Sequence, residues 1–215
     1  KFTKQIRYFF FLKLLISTIK LIIKRIHMKI FKLGLASLAV STALFAGNYN
    51  IDAGHSNAGF SVKHMMISNV TGKFNDVSGS FEYDEKTNTL KSLSGEIVVA
   101  SINTANEERD THLKSEDIFS AVKFPKINFK ATKIEKDAVY GDLTMKGVTK
   151  NIKLSLENGG VITDPWGKQR AGFELEGKIN RKDFGITWNK VLETGGVAVG
   201  EEIKLQIAME GILAK

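Results

Sequence analysis

Alternation of apolar and polar residues with a period of two is the feature that most constrains the fold of this chain. Ile203, Leu205 and Ile207 alternate with polar or small residues, and residues 152–156 and 171–179 repeat the pattern. Successive side chains of a β-strand point to opposite faces, so each segment predicts a strand with one apolar face and one face in water. The pattern therefore predicts an all-β domain.

Short strand candidates also occupy much of the rest of the chain. They are residues 58–63, 70–83, 90–102, 126–134 and 138–145. Segments rich in turn-forming residues separate them. These predicted turns are residues 84–88, Gly141, Lys146-Gly147 and Asn158-Gly159-Gly160. About eight strands with short connections predict an antiparallel sheet that closes into a barrel or folds into a sandwich.

One segment, residues 104–120, breaks the strand pattern. Thr104 or Asn106 is placed to cap a short helix whose first turn is acidic, and Ser115 to begin a second turn. We expect a short helical crossover over the barrel, with Phe119 and Phe124 as its apolar anchors.

The basic charge of the chain is confined to its N-terminal part. The chain has 31 Lys and Arg against 23 Asp and Glu, but nine of the basic residues precede position 47 and the first acid is Asp52. Residues 47–215 therefore carry 22 basic and 23 acidic residues. A nearly neutral domain gives no support to nucleic acid as a partner.

Residues 28–46 have the organisation of a secretory signal peptide. A short basic start at Met28 precedes an apolar run over residues 33–45 and a small residue, Ala46. For residues 1–27 we weigh a basic membrane helix against translated upstream DNA, and favour the second because a complete signal begins at Met28. Residues 47–215 are then the exported domain, in the periplasm, with no further run long enough to span a membrane.

The exported domain is long enough for one substantial core and contains no cysteine. The absence of cysteine excludes disulfides, thiolate metal sites and thiol nucleophiles.

Several stretches together resemble the YceI-like family, also called polyisoprenoid-binding or lipocalin-like YceI proteins. Their order and spacing match across nearly all of residues 47–215. They are Gly59-Phe60-Ser61-Val62-Lys63-His64-Met65, Gly72-Lys73-Phe74, Ser101-Ile102-Asn103-Thr104, Arg109-Asp110-Thr111-His112-Leu113-Lys114-Ser115, Lys123-Phe124-Pro125, Gly141-Asp142-Leu143-Thr144 and Arg181-Lys182-Asp183-Phe184-Gly185.

This resemblance implies an eight-stranded antiparallel lipocalin-like barrel in the periplasm that encloses the tail of an isoprenoid or other lipid. It implies a bound amphiphilic lipid, such as a polyisoprenoid quinone or a fatty-acid derivative, and no other cofactor.

The apolar residues suit such a ligand, because methionine adapts its shape and aromatic rings line apolar pockets. For any one of them, filling a core is an equally good interpretation. The residues predicted to line the barrel interior and its portal are Phe60, Val62, Met65, Phe74, Phe81, Ile97, Val99, Phe119, Phe129, Leu143, Met145, Phe173, Leu175, Trp188 and Met209.

The polar candidates give weaker signals. His55, His64 and His112 form no local metal-binding pair, so we expect no metal site. Asp110 and His112 are the most enzyme-like pair, but their helical turn favours a structural role. Asp183 reads as a turn or cap residue that holds Phe184 inward.

We therefore expect a binding or transport protein rather than an enzyme. The alternatives are a hydrolase-like enzyme that acts on such a lipid through Asp110 and His112, or a ligand-free structural or stress protein. A homodimer through an exposed strand edge stays open.

Overall fold

The computed structural model describes residues 46–193 and 195–215. The predicted N-terminal extension over residues 1–27 lies outside the described residues, as does the predicted signal peptide up to residue 45. Ala46, its last predicted residue, begins the first strand.

Eleven strands and one α-helix make up the described residues. Antiparallel pairing joins all eleven strands into one sheet. The strands are β1 Ala46–Ile51, β2 Asn57–His64, β3 Ser68–Phe74, β4 Val77–Asp84, β5 Thr89–Val98, β6 Ile102–Asn103, β7 Lys126–Ile134, β8 Ala138–Met145, β9 Val148–Thr163, β10 Gln169–Asn180 and β11 Val199–Leu213.

Eight of these strands form a closed ring. The order is β1-β4-β5-β7-β8-β9-β10-β11, and β11 pairs back with β1 through Tyr49 and Leu213. The long strand β11 pairs with β1 near its C-terminal end, and the N-terminal part of the same edge pairs with β2. β2 in turn pairs with β3, and β3 pairs with β6. The pairing of β1 with β11 closes the ring, so the structure confirms the predicted eight-stranded antiparallel barrel.

The helix α1, Glu107–Lys114, confirms the predicted crossover. Asn106 is its N-cap, since the Asn106 side chain accepts a hydrogen bond of 2.8 Å from the Arg109 backbone N–H. No helix among the described residues has the length and apolar character needed to cross a membrane.

One strand was missed and four local predictions were wrong. Strand β1 was not predicted, and the candidate strand over residues 70–83 is two strands, because Asn75 and Asp76 turn away to bond Ser101. The candidate over residues 90–102 ends as a strand at Val98 and continues through a short 3₁₀ turn. The predicted turns at Gly141 and Asn158-Gly159-Gly160 lie inside strands.

Both glycine positions are explained by packing within the sheet. Gly141 lies in β8 against the Phe129 ring, where an added Cβ atom would come within 2.3 Å of Phe129 Cζ. Gly159 is the extra residue of a β-bulge in β9, since Gly160 pairs with Gly172 and Asn158 pairs with Phe173. Glycine in a strand often marks such close approaches and bulges rather than a turn.

The two ends of the barrel differ. At the end that carries the β9–β10 hairpin, the Tyr49 and Phe81 rings stack at 5.3 Å and the Phe173 ring packs edge-on to Phe81 at 5.0 Å. All three are almost completely buried. The other end, here called the crossover end, carries α1, the β2–β3 turn and residues 185–198. The aromatic cluster fills much of one end, so the larger free space lies towards the other.

Candidate functional site

A cavity of about 180 Å³ lies inside the barrel towards the crossover end. Phe60 and Val62 of β2 lie beside Leu205 and Ile203 of β11, and together they form one wall. The walls are apolar almost throughout, so the space is suited to hydrocarbon and unsuited to ordered water. We call this space cavity 1.

A second, smaller space of about 70 Å³, cavity 2, lies on the side of the aromatic cluster. It reaches Leu175 and Met209, the latter paired in register with Phe173. The two cavities share six wall residues, so only side chains separate them. The shared residues are Ala58, Ile97, Ile127, Leu143, Leu205 and Ile207.

The crossover covers cavity 1. Thr104 is buried and lies at the centre of a local hydrogen-bond network. Arg109 Nη2 donates to the Thr104 carbonyl at 2.7 Å, and the Thr104 backbone N–H donates to Asp110 at 3.0 Å. This network fixes the start of α1, and the following residues Leu113 and Phe119 line the cavity.

Another wall of cavity 1 is held by one buried guanidinium. Arg181 is 4 % exposed and donates to four backbone carbonyls. The acceptors are Ile186 at 2.7 Å, Trp188 at 2.8 Å, Gly200 at 2.9 Å and Val199 at 3.3 Å. Among the described residues no carboxylate forms an ion pair with it, and burial lowers the pKa of Arg181. The guanidinium ties residues 186–200 into the wall.

A polar cluster lies at the end opposite the crossover. Arg170 Nη1 donates to Asp52 at 2.8 Å and to Glu210 at 2.6 Å, while Arg170 Nε donates to Asp164 at 2.8 Å. His55 Nδ1 lies 2.9 Å from Asp52. Hydrogen bonds from Arg170 and then His55 hold the pKa of Asp52 at about 2, and Arg170 lowers the pKa of Asp164.

Comparison with known proteins identifies the fold and the family. The YceI-like domain family matches residues 49–211. A UPF0312 protein of Staphylococcus aureus strain N315 is 39% identical over 164 residues, which cover 76% of this chain and 96% of the relative. The chain belongs to the YceI-like family.

Solved structures agree with this YceI-like assignment. The YceI protein of Campylobacter jejuni superposes with a TM-score of 0.60 at 37% identity, covering 71% of this chain and 90% of that one. A polyisoprenoid binding domain from Saccharophagus degradans superposes with a TM-score of 0.58 at 14% identity, covering 77% and 98%. The second likeness concerns the fold alone.

Most residues predicted to line the interior of this YceI-like barrel do border a cavity. Four line neither cavity 1 nor cavity 2: Met65 lies in an exposed turn, and Phe81, Val99 and Phe173 are buried elsewhere in the core. Which of these side chains touch a ligand stays a prediction. The lining residues are Phe60, Val62, Phe74, Ile97, Phe119, Leu143, Met145 and Trp188 in cavity 1, with Phe129, Leu175 and Met209 in cavity 2.

Sequence reasoning missed several wall residues of the YceI-like cavity. Ile203, Leu205 and Ile207 were visible as the apolar face of a strand and could have been assigned to the interior from that pattern. Arg181 gave no such signal, because its four acceptors are backbone carbonyls, which no pattern of side chains marks. Ala58 was equally hidden, since a small residue marks free space only once its neighbours are known.

The candidate catalytic pair is not assembled in this YceI-like structure. Asp110 is engaged by Thr104. The His112 ring packs edge-on to Trp188 at 4.8 Å, and its Nε2 lies 3.9 Å from Asp117. Both residues therefore serve the crossover: Asp110 fixes the start of α1, and His112 joins α1 to the wall that Arg181 holds.

Asp183 and Phe184 lie in a short 3₁₀ turn after β10. Phe184 is 1% exposed, as expected for an inward ring. The cap is Asn180 rather than Asp183, because the Asn180 side chain accepts from the Lys182 backbone N–H at 2.9 Å.

Asp52, His55 and Glu210 bring ligand atoms within 4.8 Å of one another, a spacing that suits a cation. Arg170 already supplies the positive charge there, since the same Nη1 atom bonds both carboxylates. A metal ion would have to displace the guanidinium, so the prediction of no metal site is kept.

We expect the Arg170 cluster to make the barrel sensitive to acid. The folded pKa of Asp52 lies below the ordinary value of about 4, so its stabilisation is complete above about pH 4 and is lost as the pH falls towards 2. Urea unfolding at a series of pH values measures this. Asp52→Asn should reduce the slope of the unfolding free energy against pH by the equivalent of about one bound proton. Glu174→Gln, which removes an exposed carboxylate outside the cluster, should leave that slope unchanged. An unchanged slope in Asp52→Asn would contradict the assignment.

Proposed function

We propose that this YceI-like barrel binds the long tail of an amphiphilic lipid, such as a polyisoprenoid quinone or a fatty-acid derivative. The observation that carries the proposal is cavity 1, an apolar space inside a closed barrel. Burying hydrocarbon there releases it from water at a gain of about 0.8 kcal/mol per CH₂ group. The head group then contributes mainly orientation.

The size of the cavities sets a condition on the ligand. An apolar cavity of roughly 150 Å³ in another protein accommodates a benzene ring, so cavity 1 alone suits only part of a long tail. A longer tail requires cavities 1 and 2 to join. The shared side chains between them are mostly aliphatic and can change rotamer, which makes joining the two spaces a matter of side-chain movement rather than refolding.

The setting we propose is the periplasm, on the basis of the predicted signal peptide, with binding or transport as the role. Binding rather than catalysis is supported by the engagement of Asp110 with Thr104 and of His112 with Trp188. The solved Saccharophagus degradans domain is described as polyisoprenoid binding, which agrees with a tail of this class.

The test is a chain-length series of saturated fatty acids, with binding measured by displacement of a fluorescent fatty acid. Affinity should rise about fourfold per added CH₂ group and level off at the length that fills both cavities. Native mass spectrometry of the gently purified protein should show a co-purified lipid. Affinity independent of chain length, with no lipid retained, would instead support a ligand-free structural barrel. Turnover of the bound lipid would support the enzyme.

A further inference from the structure

The crossover end of the barrel carries an exposed apolar tip. Met65, Met66 and Ile67 in the β2–β3 turn are 45%, 54% and 84% exposed, and Val191 is 84% exposed. We call these four residues the methionine tip. Flexible apolar side chains grouped at one place in water usually mark an interaction surface rather than a core.

The two parts of the tip are neighbours. The Met65 backbone N–H donates to the Ala198 carbonyl at 2.8 Å, and a Cβ atom on Gly196 would lie 3.2 Å from Met66 Cγ. Val191 pairs with Val197 in the same loop. The β2–β3 turn and residues 191 and 196–198 therefore form one continuous surface.

The turn holds its methionines in an unfavourable backbone conformation. Met65 and Met66 have φ angles of 47° and 64°, and the Ile67 N–H closes the turn on the His64 carbonyl at 3.1 Å. Positive φ at both central residues favours Asn-Gly, not two long side chains. Strain of this kind is tolerated where a side chain is needed outside the fold.

The tip lies beside cavity 1. The turn continues directly from β2, whose Phe60 and Val62 line the cavity, and residues 191–198 connect the lining residues Trp188 and Val199. The apolar tip is therefore joined directly to two segments that line cavity 1.

The two segments that form the tip carry more basic than acidic residues. Lys63 and Lys190 are exposed and flank it, and neither forms an ion pair within the described part of the chain. Glu193 is the only acid in residues 63–69 and 185–199. Apolar side chains flanked by lysines match the interface of a bilayer that contains anionic lipids.

We propose that the methionine tip docks on the surface of a lipid bilayer and inserts its side chains between head groups, next to the cavity that takes up the tail. This inference rests on the proposed lipid-binding function, because it names the surface from which the same cavity is loaded.

The test compares two ends of the barrel in residues 46–215, the compact unit that contains the whole barrel. One variant is Met66→Gly with Ile67→Thr, which removes the two most exposed side chains of the turn and places glycine at a position with positive φ. The matched control is Trp166→Ser, which removes an 80% exposed aromatic from the β9–β10 hairpin at the opposite end. The measurement is co-sedimentation with vesicles of phosphatidylethanolamine and phosphatidylglycerol.

We expect the wild-type barrel and Trp166→Ser to sediment with the vesicles, and the tip variant to bind about tenfold more weakly with no loss of thermal stability. Vesicles of phosphatidylcholine alone should bind less protein. Absence of wild-type binding, or equal losses in the two variants, would overturn the proposal. So would tip-dependent self-association in sedimentation velocity without vesicle binding, because the partner would then be a second copy.

Fatty-acid binding without vesicles separates the two proposals. It should be the same in the wild type and in the tip variant, since Met66 and Ile67 lie outside both cavities. Fatty-acid binding without vesicle binding overturns the docking proposal alone. Vesicle binding without fatty-acid binding overturns the proposed function, and with it the loading role of the tip.

Discussion

Ala58→Phe is expected to weaken the binding of a long-chain fatty acid by about 100-fold while the barrel stays folded. Ala58 is 4% exposed and lines both cavities, at the level of β2 where Phe74 and Ile207 pair with it on either side. A phenyl ring there occupies space that about four CH₂ groups of the tail would fill, which removes about 3 kcal/mol of burial.

The matched control is Ala208→Phe. Ala208 lies in β11 between Ile207 and Met209, which point into the barrel, so its own side chain points outward. The Ala208→Phe variant should therefore bind the lipid with wild-type affinity. The measurement is the fluorescent fatty-acid displacement used for the chain-length series, with circular dichroism to show that both variants fold. Wild-type affinity in Ala58→Phe would mean that the tail does not occupy these cavities.

Ala58→Phe also tests whether the interior is already full. Overpacking a filled core costs about 1–3 kcal/mol, because neighbouring side chains leave their preferred rotamers. A ring that grows into an empty cavity avoids most of that cost and gains apolar contacts. Unchanged or increased stability would therefore support an open interior independently of any ligand.

The strand pattern of the barrel was predictable from the sequence where one face is apolar and the other charged. Residues 203–209 are an example, since their alternation is set by burial on one side of β11. Strand β1 was missed because Asn48 and Asn50 leave Tyr49 as its main inward apolar residue, and two asparagines weaken a strand signal. Gly159 was predicted to lie in a turn and not in a β-bulge, because glycine is common in both.

The site was less predictable than the fold, because it depends on contacts between distant residues. Arg170 and Asp52 are separated by 118 positions, and no local pattern joins them. Phe81 and Phe74 both looked suitable for a cavity wall, yet Phe81 packs against Tyr49 and Phe173 whereas Phe74 borders cavity 1. Phe81 lies at the end of the barrel that the aromatic cluster fills, and Phe74 lies beside the larger cavity. Residue type alone does not predict which of these positions a phenylalanine takes.

Arg181→Met is expected to destabilise the barrel by about 3 kcal/mol and to loosen residues 186–200. Methionine keeps an apolar stem of similar length but removes the guanidinium donors to the four carbonyls, of which, among the described residues, only the Val199 carbonyl keeps another side-chain donor, Asn189 Nδ2 at 2.7 Å. Buried carbonyls without a donor each cost about 1–3 kcal/mol, and movement of the loop towards water recovers part of this.

The loosening is what links Arg181 to ligand binding. Ile186 and Trp188 belong to the loop it fastens, Val199 begins β11, and all three line cavity 1, so they should lose their fixed positions, and lipid affinity should fall with them. Hydrogen exchange of the amides in residues 186–200 measures the local effect, and urea unfolding measures the global one. The control is Lys182→Met, which removes a neighbouring exposed cation bonded to the Glu201 side chain. Equal exchange in both variants would mean that backbone pairing, not the guanidinium, holds the cavity wall.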